Sequence, residues 1–141
     1  MQMKNTIPLL LLPILVACSS EKIENLKNDS SKEISALILN EIDNHRQISI
    51  RKGARVSIEL KENRTTGYEW VLANFNEKSM SFKGVEHISA KALEVGKGGH
   101  SIHLFEAKEP MTSSIELLKR RSWDQEDMAI ERFKITVSVT E

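Results

Sequence analysis

From residue 47 onward, apolar side chains recur at every second position. Ile48 and Ile50 alternate with Gln47 and Ser49 after a turn signal at Asp43 and Asn44, and Gly53 ends that run. Val56, Ile58 and Leu60 then alternate with Arg55, Ser57, Glu59 and Lys61. The same period returns at Ile102 and Leu104 against Ser101 and His103, and at Ile115 and Leu117 after the turn around Pro110. It returns again at Phe133, Ile135, Val137 and Val139 against Arg132, Lys134, Thr136 and Ser138. Successive side chains of a strand point to opposite faces, so each apolar set marks a buried face and each polar set meets water. Short strands at fairly regular spacing, with no convincing helix after residue 45, predict an all-β chain folded as an antiparallel β-sandwich. Residues 33–42 are ambiguous. Ile34, Leu37, Ile38 and Ile42 fit one helical face behind a capping box of Ser30 and Glu33, while Ala36, Ile38, Asn40 and Ile42 alternate as in a strand.

The first residues follow another pattern. Lys4 precedes an apolar run over residues 7–17, IPLLLLPILVA, which carries Pro8 and Pro13 and stops at Ser19 and Ser20. A spanning helix needs about 20 apolar residues, so residues 1–17 read as a signal peptide rather than a membrane span. Leu15-Val16-Ala17-Cys18 resembles a bacterial lipobox, whose cysteine takes the lipid and becomes the mature N-terminus. Lipid on Cys18 implies anchorage to a membrane of the cell envelope, and Ser19 and Ser20 in place of an aspartate favour the outer membrane. Residues 18–32 are polar apart from Ile23 and Leu26 and read as a tether, which leaves residues 33–141 as one domain.

Charge and cysteine content narrow the chemistry. Among 141 residues, 20 Lys and Arg balance 20 Asp and Glu, and there is one cysteine. A neutral chain has no excess of cations to displace counterions from phosphates, which removes nucleic acid as a partner. One cysteine allows neither an internal disulfide nor a cysteine-based zinc cluster, and lipid on Cys18 leaves no thiol nucleophile. His100 and His103 stand three apart, a spacing that points two strand side chains to opposite faces, so no metal is expected there. Gly96, Lys97, Gly98 and Gly99 lack the Ser or Thr of a phosphate-binding loop. No Gly-x-Ser-x-Gly elbow occurs, and His45, His87, His100 and His103 have no motif partner. No cofactor is implied, and nothing assembles an enzyme.

Three connectors carry residues that plain turns do not need. The first holds Asn63, Arg64, Thr65, Thr66, Gly67 and Tyr68; the second Gly96, Lys97, Gly98 and Gly99; the third Arg121, Ser122 and Trp123. The one tyrosine and both tryptophans lie in or beside the first and third. Trp70 follows closely on Tyr68 inside a strand and fits the core. Trp123 is surrounded by charged and polar neighbours from Arg120 to Asp127, and an aromatic in so polar a loop reads as a binding anchor exposed in the free protein.

In this order, NRTTGY, GKGG and RSW resemble the motifs of the chagasin family of cysteine-peptidase inhibitors, which read N-P-T-T-G-[YF], G-x-G-G and R-P-[WF]. The resemblance runs from about Ile34 to the C-terminus. It implies an immunoglobulin-like β-sandwich without a disulfide, its three loops clustered at one end. It further implies a monomeric, non-enzymatic protein that reversibly fills the cleft of a papain-like cysteine peptidase. On this resemblance Thr65, Thr66 and Gly67, within the loop that Asn63, Arg64 and Tyr68 complete, sit over the catalytic Cys and His of the peptidase with no scissile bond in register. Gly96 to Gly99 flank the non-primed side. Arg121, Ser122 and Trp123 flank the primed side, Trp123 on enzyme aromatics and Arg121 in polar contacts. Arg64 and Ser122 depart from the family, which has proline at both positions. Each lost proline frees the unbound loop by about 0.4–1 kcal/mol, which implies a weaker or differently selective inhibitor. A lipid-anchored immunoglobulin-like adhesion or envelope-assembly module is the second reading, and a hydrolase without a known motif the third. Only the inhibitor reading uses all three motifs.

Overall fold

Period-two patterning becomes eight strands in the computed structural model, which describes residues 36–90 and 98–141. They are β1 (Ala36–Leu39), β2 (Gln47–Arg51), β3 (Arg55–Glu62), β4 (Tyr68–Asn74), β5 (Met80–Ile88), β6 (Gly99–Ala107), β7 (Thr112–Arg121) and β8 (Glu131–Thr140). One sheet has the order β1-β3-β6-β5 and the other β2-β8-β7-β4. Helical structure among the described residues is limited to three short 3-10 turns, at Glu41–Asp43, Arg64–Thr66 and Glu126–Met128. The signal peptide, Cys18 and the tether lie outside the described residues, and so do Gly96 and Lys97. Of residues 33–42, 33–35 lie outside the described residues and Ala36–Leu39 form a strand. It buries Leu39 and leaves Ala36 and Ile38 exposed, the reverse of the alternation read from the sequence, and Ile42 falls in the 3-10 turn that follows.

The sheets are mixed, which corrects the expectation of an antiparallel sandwich. β1 pairs in parallel with β3 from Ala36↔Arg55 to Leu39↔Ile58, and β2 pairs in parallel with β8 from Gln47↔Thr136 to Arg51↔Thr140. The chain reverses at each connection, so odd-numbered strands run one way and even-numbered strands the other. When β2 crosses to the second sheet, β1 and β3 are left side by side, and β2 itself lands beside β8. Alternation reports which face is buried and carries nothing about a neighbour's direction.

The core lies between the sheets. Val56, Ile58 and Leu60 of β3, Ile115 and Leu117 of β7, and Ile135 and Val137 of β8 are fully buried there. Phe105 packs edge-on against Phe75 and tilted against Phe82 at the β5–β6 side. β6 departs from the sequence reading. Ser101 and His103 are buried and Ile102 and Leu104 half-exposed, the reverse of the face assigned above. Phe105 and Ala107 share parity with 101 and 103, and their burial fixes the face of this central strand. β5 has no clean alternation because a bulge between Phe82 and Gly84 shifts its register, and as an edge strand it leaves Val85 and Ile88 exposed.

Candidate functional site

Strand register brings the first and third connectors, and the Gly98–Gly99 end of the second, to one end. Glu62, the last residue of β3, pairs with Gly99, the first of β6. Tyr68, the first of β4, pairs with Arg121, the last of β7. The connection 63–67 therefore leaves one sheet and enters the other between Gly98 on one side and residues 122–130 on the other. Trp70 braces this crossing from below. It is 5% exposed, and its Nε1 donates to the Lys61 carbonyl at 3.0 Å, tying β4 to β3 just beneath the first loop.

The first loop is a closed turn. Asn63 caps it, its side-chain oxygen accepting from the Thr65 backbone N–H at 3.2 Å and from the Thr65 hydroxyl at 2.6 Å. The Thr66 hydroxyl donates to the Asn63 carbonyl at 2.6 Å, and the Thr66 and Gly67 N–H groups donate back to Asn63 and Arg64 carbonyls. Both hydroxyl protons are thus spent inside the loop, so Thr65 and Thr66 present lone pairs outward and act toward a partner as acceptors. Gly67 leaves the turn with φ +78°, in the left-handed region where glycine carries no steric penalty.

The third loop leans on the first. The Arg121 guanidinium stacks 4.7 Å from the Tyr68 ring centroid and 5.9 Å from that of Trp123, a cation held between two aromatic faces. Trp123 Cη2 lies 3.6 Å from where a Cβ on Gly67 would stand, yet the Trp123 side chain is 72% exposed. A second set of bonds fixes the turn itself. Asp124 N–H donates to the Arg121 carbonyl at 3.1 Å, Arg121 N–H to the Asp124 carboxylate at 3.2 Å, and Arg120 Nη1 to the Asp124 carbonyl at 2.7 Å. Side-chain hydrogen bonds therefore brace both loops at the positions, Arg64 and Ser122, where proline is missing. Asn63, which the sequence reading placed only among the peptidase-binding residues, does this for the first loop, and the Arg120–Asp124 pair, to which it gave no role, does it for the third.

In the second segment, Gly98 stands at the edge and Gly99 already belongs to β6. A Cβ on Gly98 would collide with the Glu62 carbonyl, and one on Gly99 with the Ile88 carbonyl. The close approach these glycines permit is to the chain's own backbone on both sides. The first loop consequently stands between two depressions. One, of about 190 Å³, is lined by Arg64, Gly67, Tyr68, Glu69, Ser122 and Trp123. The other, of about 430 Å³, is lined by Lys61, Glu62, Asn63, Gly98, Gly99, His100 and Lys119.

Beneath the second depression lies a buried polar group. Glu62, 3% exposed, meets His87 Nδ1 at 2.6 Å, and buried Ser101 and His103 flank it. Burial holds the His103 imidazole down at about 4, against the pull of Glu62 in the other direction. The signal was legible, because Glu62 continues the inward series Val56, Ile58, Leu60. His100 points outward and His103 inward, so the two histidines do not converge.

One end of the sandwich thus carries two hydrogen-bonded loops beside an exposed tryptophan. The chain belongs to the chagasin family of peptidase inhibitors I42, whose family model matches residues 49–137. Among solved structures it is similar to the cysteine protease inhibitor EhICP2 of Entamoeba histolytica, at 20% identity over 74% of this chain and 95% of that one, with a TM-score of 0.64. It is similar to Amebosin at 29% identity over 74% and 98% of the two chains, TM-score 0.63. It also shares its fold with PbICP-C, solved in complex with falcipain-2, at 19% identity over 74% and 98%, TM-score 0.52. No curated protein matches the sequence significantly.

Proposed function

We propose that this protein is a reversible, non-covalent inhibitor of papain-like cysteine peptidases, and that it blocks the active-site cleft with the three loops at one end of its sandwich. Membership of a peptidase-inhibitor family supports the activity. The observation that carries the loop assignment is Trp123, 72% exposed and clamped beside the Gly67 turn by the Arg121–Tyr68 stack. A substrate lies extended in a peptidase cleft; the 3-10 turn at Arg64–Thr66 is curled and tied by its own hydrogen bonds, so it occupies the cleft without offering an extended peptide for attack. The Thr65 and Thr66 oxygens would accept hydrogen bonds from the catalytic centre. Gly96, Lys97, Gly98 and Gly99 would line one side of the wedge, and Arg121, Ser122 and Trp123 the other. Because the first and third loops are already ordered by their own hydrogen bonds, little of their conformational entropy is lost on docking.

The test is titration of the purified protein into papain and cathepsin-type enzymes. Activity should fall with inhibitor concentration and return on dilution, with the inhibitor chain intact. Full residual activity, or progressive cleavage of the protein at the first loop, would overturn the reading.

The protein acts as a monomer held to the envelope by lipid on Cys18, with the outer membrane favoured. The lipobox motif at Leu15-Val16-Ala17-Cys18 supports the anchor. Cys18→Ser should move the protein from the membrane fraction to the soluble one. Retention of the variant on membranes after a high-salt wash would refute the anchor.

A further inference from the structure

A second apolar surface lies on the shoulder of the loop end. The connection 40–46 joins β1 to β2 there and is bonded to the strands that carry the first and third loops. Its Glu41 carboxylate accepts from the Lys61 backbone N–H at the root of the first loop. Asn44 donates to the Arg132 carbonyl at 2.9 Å and accepts from the Lys134 N–H at 2.8 Å. Arg132 in turn donates to the Glu126 carbonyl, within the connection that begins with Trp123, at 3.2 Å.

This frame is rigid. Asn40 and Asp43 cap the Glu41–Asp43 turn reciprocally, and the Asp43 carboxylate holds Arg46 at 2.7 Å. His45 N–H reaches the Lys134 carbonyl at 2.7 Å. At the centre of the frame Ile42 is 89% exposed, the most exposed large hydrophobic side chain among the described residues. Met128 and Ile130 follow Trp123 along the same connection, at 60% and 53% exposed. An ordered turn that spends its polar groups on the fold and holds an isoleucine in water gives that side chain no folding role. With Met128 and Ile130 it gives this end of the protein three large apolar side chains open to a partner.

We propose that Ile42, Met128 and Ile130 form a contact outside the active-site cleft, covered by the rim of the same papain-like peptidase when the loops enter the cleft. The inference rests on the inhibitor reading above and extends it. Its argument is continuity: Met128 and Ile130 follow Trp123 on one connection, and the turn that carries Ile42 is hydrogen-bonded to the roots of the first and third loops. The matching surface on the peptidase is apolar and lies beside the side of the cleft that Trp123 reaches. Contacts beyond the catalytic residues differ between peptidases, so this patch sets which of them is held longest.

The experiment compares the wild type with Ile42→Ser, Met128→Ser and the double variant, reading inhibition and dissociation rate on several papain-like peptidases, and urea midpoint on the free proteins. Midpoints should stay at the wild-type value. Dissociation should quicken by about 10-fold in the double variant, unequally between peptidases. A double variant that inhibits every enzyme as the wild type does overturns this inference alone and leaves the three-loop reading standing. A wild type that inhibits none overturns both. A free protein that sediments as a dimer, and as a monomer after Ile42→Ser, assigns the patch to a second copy of the chain and overturns it as well.

Discussion

The Arg121 guanidinium stands 4.7 Å from the Tyr68 ring centroid, and through it the third loop takes its position from the first. Arg121 Nε is buried without a hydrogen-bond partner, so the side chain is held by stacking on Tyr68 and Trp123. The family resemblance gives this arginine polar contacts with the peptidase. In the free protein it is the clamp between two aromatics, and Trp123 is the group left facing outward.

Trp123 and Trp70 should respond oppositely to truncation. Removing an exposed interface aromatic at a hot spot costs about 2–4 kcal/mol of binding, whereas removing a core tryptophan costs about 3–5 kcal/mol of folding. Trp123→Ala is expected to keep its denaturation midpoint and to lose roughly 30- to 1,000-fold in inhibition. Trp70→Ala is expected to melt early, since it loses both its burial and the bond to Lys61. A Trp123→Ala protein that inhibits at full strength would remove the anchor assignment.

Gly67 tests the first loop. A Cβ there would meet Trp123 at 3.6 Å, ordinary contact, so the cost of a side chain comes from the backbone at φ +78°. For a residue other than glycine that conformation costs roughly 1–2 kcal/mol, and less for asparagine. Gly67→Val should weaken inhibition strongly while Gly67→Asn retains most of it. Equal inhibition by the two variants would mean that the turn geometry is irrelevant to binding.

Restoring proline at position 64 tests whether loop order limits affinity. Arg64 opens the 3-10 turn behind the Asn63 cap, a position where proline suits the backbone. A compatible proline is worth about 0.4–1 kcal/mol, so Arg64→Pro should improve inhibition by about 2- to 5-fold if order is the only change. Because Asn63 already braces the turn, the lower end is expected. A loss of inhibition would instead assign the Arg64 side chain a direct contact.

His103 makes stability depend on pH. Its imidazole titrates at about 4 in the folded chain, against 6.5 ordinarily, because the buried ring resists charge. Above pH 6.5 both folded and unfolded chains hold it neutral, and stability is flat. As pH falls from 6.5 toward about 4, the unfolded chain gains a proton that the folded chain refuses, and stability drops by roughly 3 kcal/mol. Asp43 does not share this window, since its hydrogen bonds to Asn40 and Arg46 hold it below the ordinary value of 3.8. Urea midpoints near pH 7.5 and pH 4.5 should differ for the wild type and converge in His103→Leu. A wild type with equal midpoints would show that the ring accepts its proton without cost.

Much of this molecule is legible in the chain alone. Alternation at 48–50, 56–60, 115–117 and 133–139 identifies core faces that burial then matches, because a half-buried strand admits only one face to the interior. The polar setting of Trp123 forecast its exposure. The tertiary structure decided the rest. Parallel pairing of β1 with β3 and β2 with β8 follows from β2 changing sheets, a choice that no local pattern records. Burial of Ser101 and His103 was imposed on β6 by Phe105 and Ala107 farther along the strand. Convergence of the connectors depends on Glu62↔Gly99 and Tyr68↔Arg121, pairs joining residues distant in the chain. Local periodicity fixes which way a side chain faces, because two-residue alternation is a property of one strand. Which loops meet depends on register between strands, and register belongs to the folded sheet.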